Sequence, residues 1–262
     1  MALKAILFDL DDTLIDWSHF DSNWEAVESP YLCGVYDYLC QTADFPHTLE
    51  TYIETYVDHI RDAWMSARSS LIAPHIGRVL VKAAVSLGVA EEALDIDASL
   101  KAFGWGAIPG THVFPDVIEG LTLLRDCGIH LGIVTNAAQP MSLRDVELAQ
   151  HGLLEFFPRC RFAAADAGYL KPHEKIFATA LACLDASPGE TIFVGDNPVA
   201  DIAGAQGAGM RGIIRVNHDV KPMISGLIIP DAAINSLTEL PPILDEWFPG
   251  WNNHHVASPA DH

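Results

Sequence analysis

Short apolar segments alternate along the chain with amphipathic ones, and this alternation limits the possible folds. The apolar segments are the length of strands buried on both faces. They are residues 4–9, Ile129–Thr135, Thr191–Gly195 and Arg211–Val216, with a weaker one at Arg161–Ala164. The amphipathic segments between them favour helices: Val117–Cys127, Met141–His151, Pro172–Leu184 and Pro198–Gly209. The alternation predicts an α/β fold, with a parallel sheet between two layers of helices.

Residues 17–109 do not follow this alternation. They contain few strand-like segments, and helical patterns recur at Thr51–Met65, Val79–Leu87 and Glu91–Phe103. Glycine and proline residues that break helices end the region near residues 104–110. We therefore expect an inserted all-α domain at 17–109. The core domain would then be discontinuous, made of 1–16 and 110–249, and 250–262 would be a flexible tail.

The charge balance excludes several classes of protein. The 262 residues include 15 basic and 35 acidic side chains, which gives a formal net charge of −20. An excess of this size repels nucleic acid, and no basic cluster compensates for it. No apolar run approaches the length of a membrane span, and the first residues do not resemble a signal peptide. Five scattered cysteines without a C-x-x-C motif suit reduced thiols. We therefore expect a cytoplasmic protein.

Acidic side chains follow two of the predicted strands. Asp9 ends the first strand and Asp11 comes two residues later, and Asp196 and Asp201 follow Thr191–Gly195. Asp9 and Asp11 would point to the same side in extended backbone. Because ligand sites of parallel sheets lie at the carboxyl ends of the strands, these carboxylates should share one crevice. Because these carboxylates repel one another, a bound cation is needed to offset the repulsion. A set of oxygen ligands without histidine or cysteine favours Mg²⁺.

Hydrogen-bond donors occupy the equivalent places on neighbouring segments. Thr135 and Asn136 end one predicted strand, and Lys171 precedes the helical segment that starts at Pro172. Taken singly, each has an ordinary explanation as a turn residue, a helix cap or a surface lysine. Their occurrence together, each at a strand exit or a helix start, indicates a site that binds an anion.

These motifs resemble those of the haloacid dehalogenase-like (HAD) hydrolase superfamily, in its phosphatase-type members. The first motif is Asp9-x-Asp11-x-Thr13, the second is Thr135, the third is Lys171, and the fourth is Gly195-Asp196 followed by Asp201. The resemblance implies a three-layer Rossmann-like core. It also implies that the insert is a helical cap of the C1 type, which closes over the site.

The resemblance further implies Mg²⁺-dependent hydrolysis of a phosphomonoester through an aspartyl-phosphate intermediate. Asp9 would be the nucleophile. Asp9 and Asp196 would bind the metal through carboxylate oxygens, and Asp11 through its backbone carbonyl. Thr135, the Asn136 N–H and Lys171 would bind the phosphoryl group. Asp201 would orient a metal-bound water or Lys171.

Asp11 distinguishes between two activities of the family. As its side chain is not needed on the metal, it can give a proton to the leaving alcohol and later take one from water. Relatives that cleave carbon–halogen bonds lack an acid at this position, so Asp11 argues against a dehalogenase. Asp12 stands where many relatives carry glycine.

The insert should select the substrate, which we expect to be a small phosphorylated metabolite. Side chains of 17–109 that could reach it are Trp17, His19, Trp24, Arg61, Arg68, Arg78, Lys82 and Lys101. Packing or solvated surface is the more ordinary explanation for each of them. A phosphotransferase or phosphomutase is the alternative function, a non-catalytic binding protein is a less favoured one, and the sequence allows a monomer or a homodimer.

Overall fold

The computed structural model describes residues 2–19, 24–216 and 227–252. Six strands form a fully parallel sheet in the order β5-β4-β1-β6-β7-β8. A separate two-stranded antiparallel sheet pairs β2 with β3. The strands are Ala5–Phe8 (β1), Ile15–Asp16 (β2), His112–Val113 (β3), His130–Thr135 (β4), Cys160–Ala163 (β5), Thr191–Gly195 (β6), Arg211–Arg215 (β7) and Ala232–Ile234 (β8).

In the described part of the stretch expected to be all-α, four α-helices lie between β2 and β3. They are Trp24–Thr42 (α1), Leu49–Ser70 (α2), Ile76–Ser86 (α3) and Ile96–Phe103 (α4). Their buried side chains, such as Leu39, Tyr56 and Leu80, form a hydrophobic cluster separate from those of the sheet. We call residues 17–109 the helical insert. The domain boundaries themselves stay a prediction.

The remaining helices flank the sheet: Val117–Asp126 (α5), Met141–Gln150 (α6), Ala164–Ala167 (α7), Glu174–Cys183 (α8), Gly204–Gly207 (α9) and Leu240–Trp247 (α10). Alternate residues of β1 face opposite sides of the sheet. Ile6 and Phe8 pack with α5 and α10, whereas Ala5 and Leu7 pack with α8. Burial on both faces explains why the strand segments are continuously apolar, and it confirms the predicted three-layer α/β class.

Several elements differ from the sequence prediction. The helix α1 was not predicted, and it contains Pro30, a residue that disfavours helix interiors. The helix expected at Glu91–Phe103 is broken: a 3₁₀ turn at Glu91–Ala93 precedes α4. The break follows from Asp95, whose side chain caps α4 by accepting the Ala98 N–H at 2.7 Å.

The helix expected at Pro198–Gly209 also departs from a regular α-helix. It begins as a π-helix over Pro198–Ala203 and continues as α9. The Asn197 side chain accepts the N–H groups of Val199 and Ala200 at 3.0 and 2.9 Å, which fixes this start directly after β6.

The C-terminal elements were also missed, and the predicted tail begins too early. Strand β8 and helix α10 extend the core beyond β7. Trp251, expected in a flexible tail at 250–262, packs into the core, and its indole N–H donates to Asp245 at 2.8 Å. The rest of that tail, from 253 on, lies outside the described residues. None of the helices in the described part of the chain combines the length and apolar character of a membrane span.

An ion pair joins the last residue of β7 to the start of α5. The Arg215 guanidinium donates to both carboxylate oxygens of Asp116, at 2.8 and 3.1 Å. Asp116 also accepts the Leu237 N–H at 2.6 Å. Burial raises the pKa of Asp116, but these hydrogen bonds outweigh burial and hold the pKa below its usual value. The pair is desolvated on the arginine side, since the Arg215 side chain is only 2% exposed.

We predict that Asp116→Ala lowers the free energy of unfolding by about 3–5 kcal/mol, because it leaves a buried guanidinium without its partner. Urea unfolding measures the change. The matched control is Asp126→Ala, which removes a carboxylate paired with Arg125 where both side chains are 45% exposed. That change should cost less than about 1 kcal/mol. Equal losses in the two variants would contradict the prediction.

Candidate active site

Lys171 holds two aspartates together at the carboxyl end of the sheet. Its Nζ lies 2.8 Å from Asp9 Oδ1 and 2.7 Å from Asp201 Oδ1. Asp9 follows β1, and its N–H donates to the Val194 carbonyl of β6. The Lys171 side chain is 1% exposed. Burial lowers the pKa of Lys171, but the two carboxylates outweigh burial and raise it above its usual range. The lysine is therefore a fixed positive charge.

Asn136 positions the backbone that carries this lysine. Its side-chain oxygen accepts the Lys171 N–H at 2.7 Å, and its side-chain amide donates to the Lys171 carbonyl at 3.1 Å. Asn136 follows β4 directly, so these two bonds attach the third motif to the second. From the sequence, only the backbone N–H of Asn136 was expected to take part in the site, and the role of its side chain was missed.

Asp196 brings a third carboxylate into the same cluster. Single carboxylate oxygens of Asp9, Asp196 and Asp201 all lie within 4.8 Å of one another. Burial, followed by the charges of Asp201 and Asp12, raises the pKa of Asp196 to about 7. Burial also raises the pKa of Asp9, against the opposing effect of Lys171. The one ammonium, that of Lys171, does not balance the charge of three carboxylates. The atoms of Asp9, Asp196 and Asp201 that could bind a metal are all oxygens. The residues present therefore fit a hard divalent cation such as Mg²⁺.

Asp201 is engaged through both of its oxygens. One pairs with Lys171, and the other accepts the Asn197 N–H at 2.9 Å. The side chain is fully buried. Both oxygens of Asp201 thus have protein partners, and its expected role, to orient a metal-bound water or Lys171, stays a prediction.

Asp11 is held by donors from three parts of the chain. Arg144 Nη2 lies 2.6 Å from Asp11 Oδ1, and the Trp17 indole N–H donates to the same oxygen at 3.0 Å. The Thr135 hydroxyl lies 3.3 Å from Asp11 Oδ2. Trp17 thus reaches the site, as its position soon after the first motif allowed. Asp11 and Thr135 are brought together with Asp9, and their roles stay predictions.

Arg144 was not found from the sequence. It lies on α6 and is 2% exposed, and its Nη1 is 3.2 Å from Glu147 Oε2. Glu147 in turn accepts the Trp105 indole N–H at 3.0 Å. A signal for it exists in the sequence: Arg144 and Glu147 share the buried face of α6 with Leu143 and Leu148. Oppositely charged residues three apart on an apolar face indicate a buried pair.

Asp12 occupies a backbone conformation that usually favours glycine. Its φ is 58°, in the left-handed region. Aspartate tolerates this region better than most residues. Its side chain accepts the Trp17 N–H at 3.1 Å, a bond that glycine lacks. The structure thus accounts for both the glycine of many relatives and the aspartate here.

A cavity of about 420 Å³ opens between α2 and the motif residues. Its walls include Asp11, Asn136 and Arg144 on the sheet side. The α2 side contributes Val57, Ile60, Arg61, Trp64, Met65 and Arg68.

The other candidate side chains of the insert lie elsewhere. Arg78 and Lys82 line a different surface cavity. Lys101 is exposed in the last turn of α4, and His19 stacks on His112. The side chain of Trp24 lies outside the described residues.

Comparison with known proteins agrees with this architecture. The glyceraldehyde 3-phosphate phosphatase of Methanopyrus kandleri is 28% identical over 211 residues, which cover 79% of this chain and 82% of that protein. A phosphoglycolate phosphatase of Salmonella typhi is 26% identical over 255 residues, 92% of each chain. The structure of a 2-haloacid dehalogenase from Pseudomonas syringae has a TM-score of 0.58 at 28% identity, and the match covers 94% of this chain and 99% of that one.

The family model for haloacid dehalogenase-like hydrolases matches residues 3–209, which include every motif residue of the site. The match extends over far more than half of the chain. The protein therefore belongs to the haloacid dehalogenase-like hydrolase family.

Proposed function

We propose that this protein hydrolyses a small phosphomonoester with Mg²⁺, through an aspartyl-phosphate on Asp9. The observation that carries the proposal is the Asp9–Lys171–Asp201 arrangement with Asp11 beside it. The Lys171 contact fixes one oxygen of Asp9, which limits the conformations of this carboxylate. A carboxylate held in one orientation is a suitable nucleophile for in-line attack on phosphorus.

The reaction would take place in two steps. In the first, Asp9 forms a bond to phosphorus while the bond to the leaving oxygen breaks, and Asp11 gives that oxygen a proton. In the second, Asp11 takes a proton from water as the water attacks phosphorus, which releases phosphate and restores Asp9. Lys171, the Thr135 hydroxyl and the Asn136 N–H would stabilise the charge on the phosphoryl oxygens.

The metal would be held by carboxylate oxygens of Asp9 and Asp196 and by the backbone carbonyl of Asp11. Bound there, Mg²⁺ supplies positive charge to the phosphoryl oxygens. Support comes from the excess of carboxylates over ammonium groups and from the raised pKa of Asp196. Asp201 would keep Lys171 in place beside this site.

The cavity indicates the kind of substrate. A volume of about 420 Å³ suits a small molecule. Apolar and cationic side chains of α2 face the motif residues across it. The relatives named above act on glyceraldehyde 3-phosphate and phosphoglycolate, both small phosphorylated metabolites. We therefore propose a substrate of this class, with the helical insert as a cap that closes over it.

The environment of Asp11 favours phosphoryl chemistry over dehalogenation, although one similar structure is a dehalogenase. Release of halide requires no proton, whereas release of an alkoxide does. Asp11 receives hydrogen bonds from Arg144, Trp17 and Thr135 at the edge of the cavity. These contacts hold the Asp11 carboxylate in one place beside the proposed nucleophile, within reach of the leaving oxygen and of the attacking water with which it would exchange protons.

We predict that Asp9→Asn lowers phosphate release by at least about a thousand-fold, because the nucleophile is lost. The measurement is phosphate and alcohol release from a panel of small phosphomonoesters, with Mg²⁺ and with EDTA. The control is Asp126→Asn, which changes an exposed acid at the end of α5 outside the site and should keep full activity. Undiminished release by Asp9→Asn would refute the mechanism. Alcohol release in excess of phosphate, with transfer to an added acceptor, would indicate a phosphotransferase.

We predict that Trp17→Phe selectively lowers the turnover of substrates with poor leaving groups. The change removes the indole N–H that orients Asp11 and keeps most of the ring packing. Turnover of an alkyl phosphate should fall about ten-fold or more, whereas p-nitrophenyl phosphate, whose leaving group needs no proton, should be little affected. Asp11→Asn should show the same selectivity more strongly. Equal losses on both substrates in Trp17→Phe would contradict a positioning role.

We predict that the stabilisation by Mg²⁺ increases with pH. The pKa of Asp196 is about 7, above its ordinary value of 3.8. The folded, metal-free protein thus binds a proton more tightly than the unfolded chain, and this contribution to stability is lost as the pH rises from about 4 to 7. Because Mg²⁺ binds the ionised carboxylate, the rise in Tm with Mg²⁺ should be small at pH 5 and larger at pH 8.

Thermal unfolding with Mg²⁺ and with EDTA tests this pH dependence. Asp196→Asn should lose most of the rise in Tm at pH 8, and Asp126→Asn should keep it. A rise that is equal at the two pH values, or that persists in Asp196→Asn, would contradict the assignment of Asp196 to the metal.

A further inference from the structure

A second group of metal-ligating side chains lies where the helical insert joins the core. Asp16 ends β2 and His112 begins β3, and the two residues are direct partners in the antiparallel register. His19 follows β2 by three residues. One ligand atom from each of these three side chains lies within 4.8 Å of the others. The group shares no residue with the carboxylate cluster around Lys171.

The spacing of two of these atoms suits a shared ion. His112 Nε2 lies 3.4 Å from Asp16 Oδ2, longer than a normal charged hydrogen bond of about 2.7–2.9 Å. Two ligands that each lie about 2.0–2.1 Å from a tetrahedral ion are separated by roughly 3.3–3.4 Å. The observed separation is therefore that of two neighbouring ligands around one ion.

The surrounding contacts hold the ligands in compatible orientations. The other oxygen of Asp16 accepts the Ser18 N–H at 2.7 Å, which leaves Oδ2 towards the histidines. The His19 and His112 rings stack at 5.8 Å with an angle of 19° between their planes. Both histidines are exposed, so an ion can enter from solvent and keep water as a further ligand.

We propose that Asp16, His19 and His112 form a binding site for a divalent transition-metal ion of the Zn²⁺ type. Two imidazoles and one carboxylate, with a position open to water, are a common ligand set for Zn²⁺. Mg²⁺ prefers oxygen ligands and is disfavoured by the two histidines. The net charge of −20 attracts cations to the protein in general, and the histidines provide the selectivity.

An ion at this site links the two chain segments that connect the insert to the core. Asp16 and His19 belong to the segment that leaves the core, and His112 belongs to the one that returns. Coordination across both segments restrains the junction and stabilises the folded state, since the unfolded chain does not bring the three ligands together. This inference does not depend on the proposed function, because it concerns other residues and another ion.

The test measures Zn²⁺ binding to the full-length protein by isothermal titration calorimetry, with excess Mg²⁺ to occupy the carboxylate cluster. All variants carry His254→Ala and His255→Ala, which removes the paired histidines near the C-terminus as competing ligands. We expect one Zn²⁺ per chain in this background. The double change His19→Ala/His112→Ala should weaken binding at least about a hundred-fold. The matched control is His130→Ala, an exposed histidine at the start of β4, and it should leave binding unchanged.

Co²⁺ provides a second readout, which reports the ligands and the coordination geometry of the bound ion. Co²⁺ bound by imidazole in a four-coordinate site gives strong visible absorption, which should appear in the background protein and in His130→Ala and be absent from the double variant. Zn²⁺ should raise Tm in the first two proteins only. Circular dichroism verifies that all variants are folded. Equal Zn²⁺ affinity with and without His19 and His112, or no Zn²⁺ binding in the background protein, would overturn the proposal.

Discussion

The rest of the site depends on one buried ammonium shared by two carboxylates. Lys171 lies 2.7–2.8 Å from Asp201 and Asp9, and all three side chains are largely removed from water. Buried charges of this kind are tolerated only when each is paired and held in place. Here Asp9 is positioned at the end of β1 in the parallel sheet, and the Asn136 side chain fixes the backbone of Lys171. The carboxylates outnumber the ammonium, so the cluster fits a cation.

A second polar network connects this centre to the helical insert. From Asp11 it runs through Arg144 and Glu147 to Trp105, which is part of the hydrophobic cluster of the insert. Trp17, on the segment that leads into the insert, bonds the same oxygen of Asp11. The orientation of the proposed general acid is therefore tied to how the insert sits on the core.

Much of the fold was predictable because its signal is local. Strands buried on both faces are continuously apolar, and β1, β4, β6 and β7 were recognised for this reason. The missed elements lack such a signal. Helix α1 contains Pro30 and has a weak amphipathic pattern, and β8 has only three residues. The break before α4 depends on the capping hydrogen bond of Asp95, which competes with a continuous helix. Trp251 gave no sequence signal that it belongs to the core.

The candidate site divides in the same way between sequence and tertiary structure. The sequence by itself identified the family, through the resemblance of its motifs. Local patterns also placed the motif residues Asp9, Asp11, Thr135, Lys171 and Asp196 at strand ends and helix starts. Only the tertiary structure decided that Asp201 shares Lys171 with Asp9 and that Arg144 holds Asp11. The physical reason is distance along the chain. Arg144 and Asp11 are 133 residues apart, and only the packing of α6 against the sheet and the insert brings them within hydrogen-bonding distance.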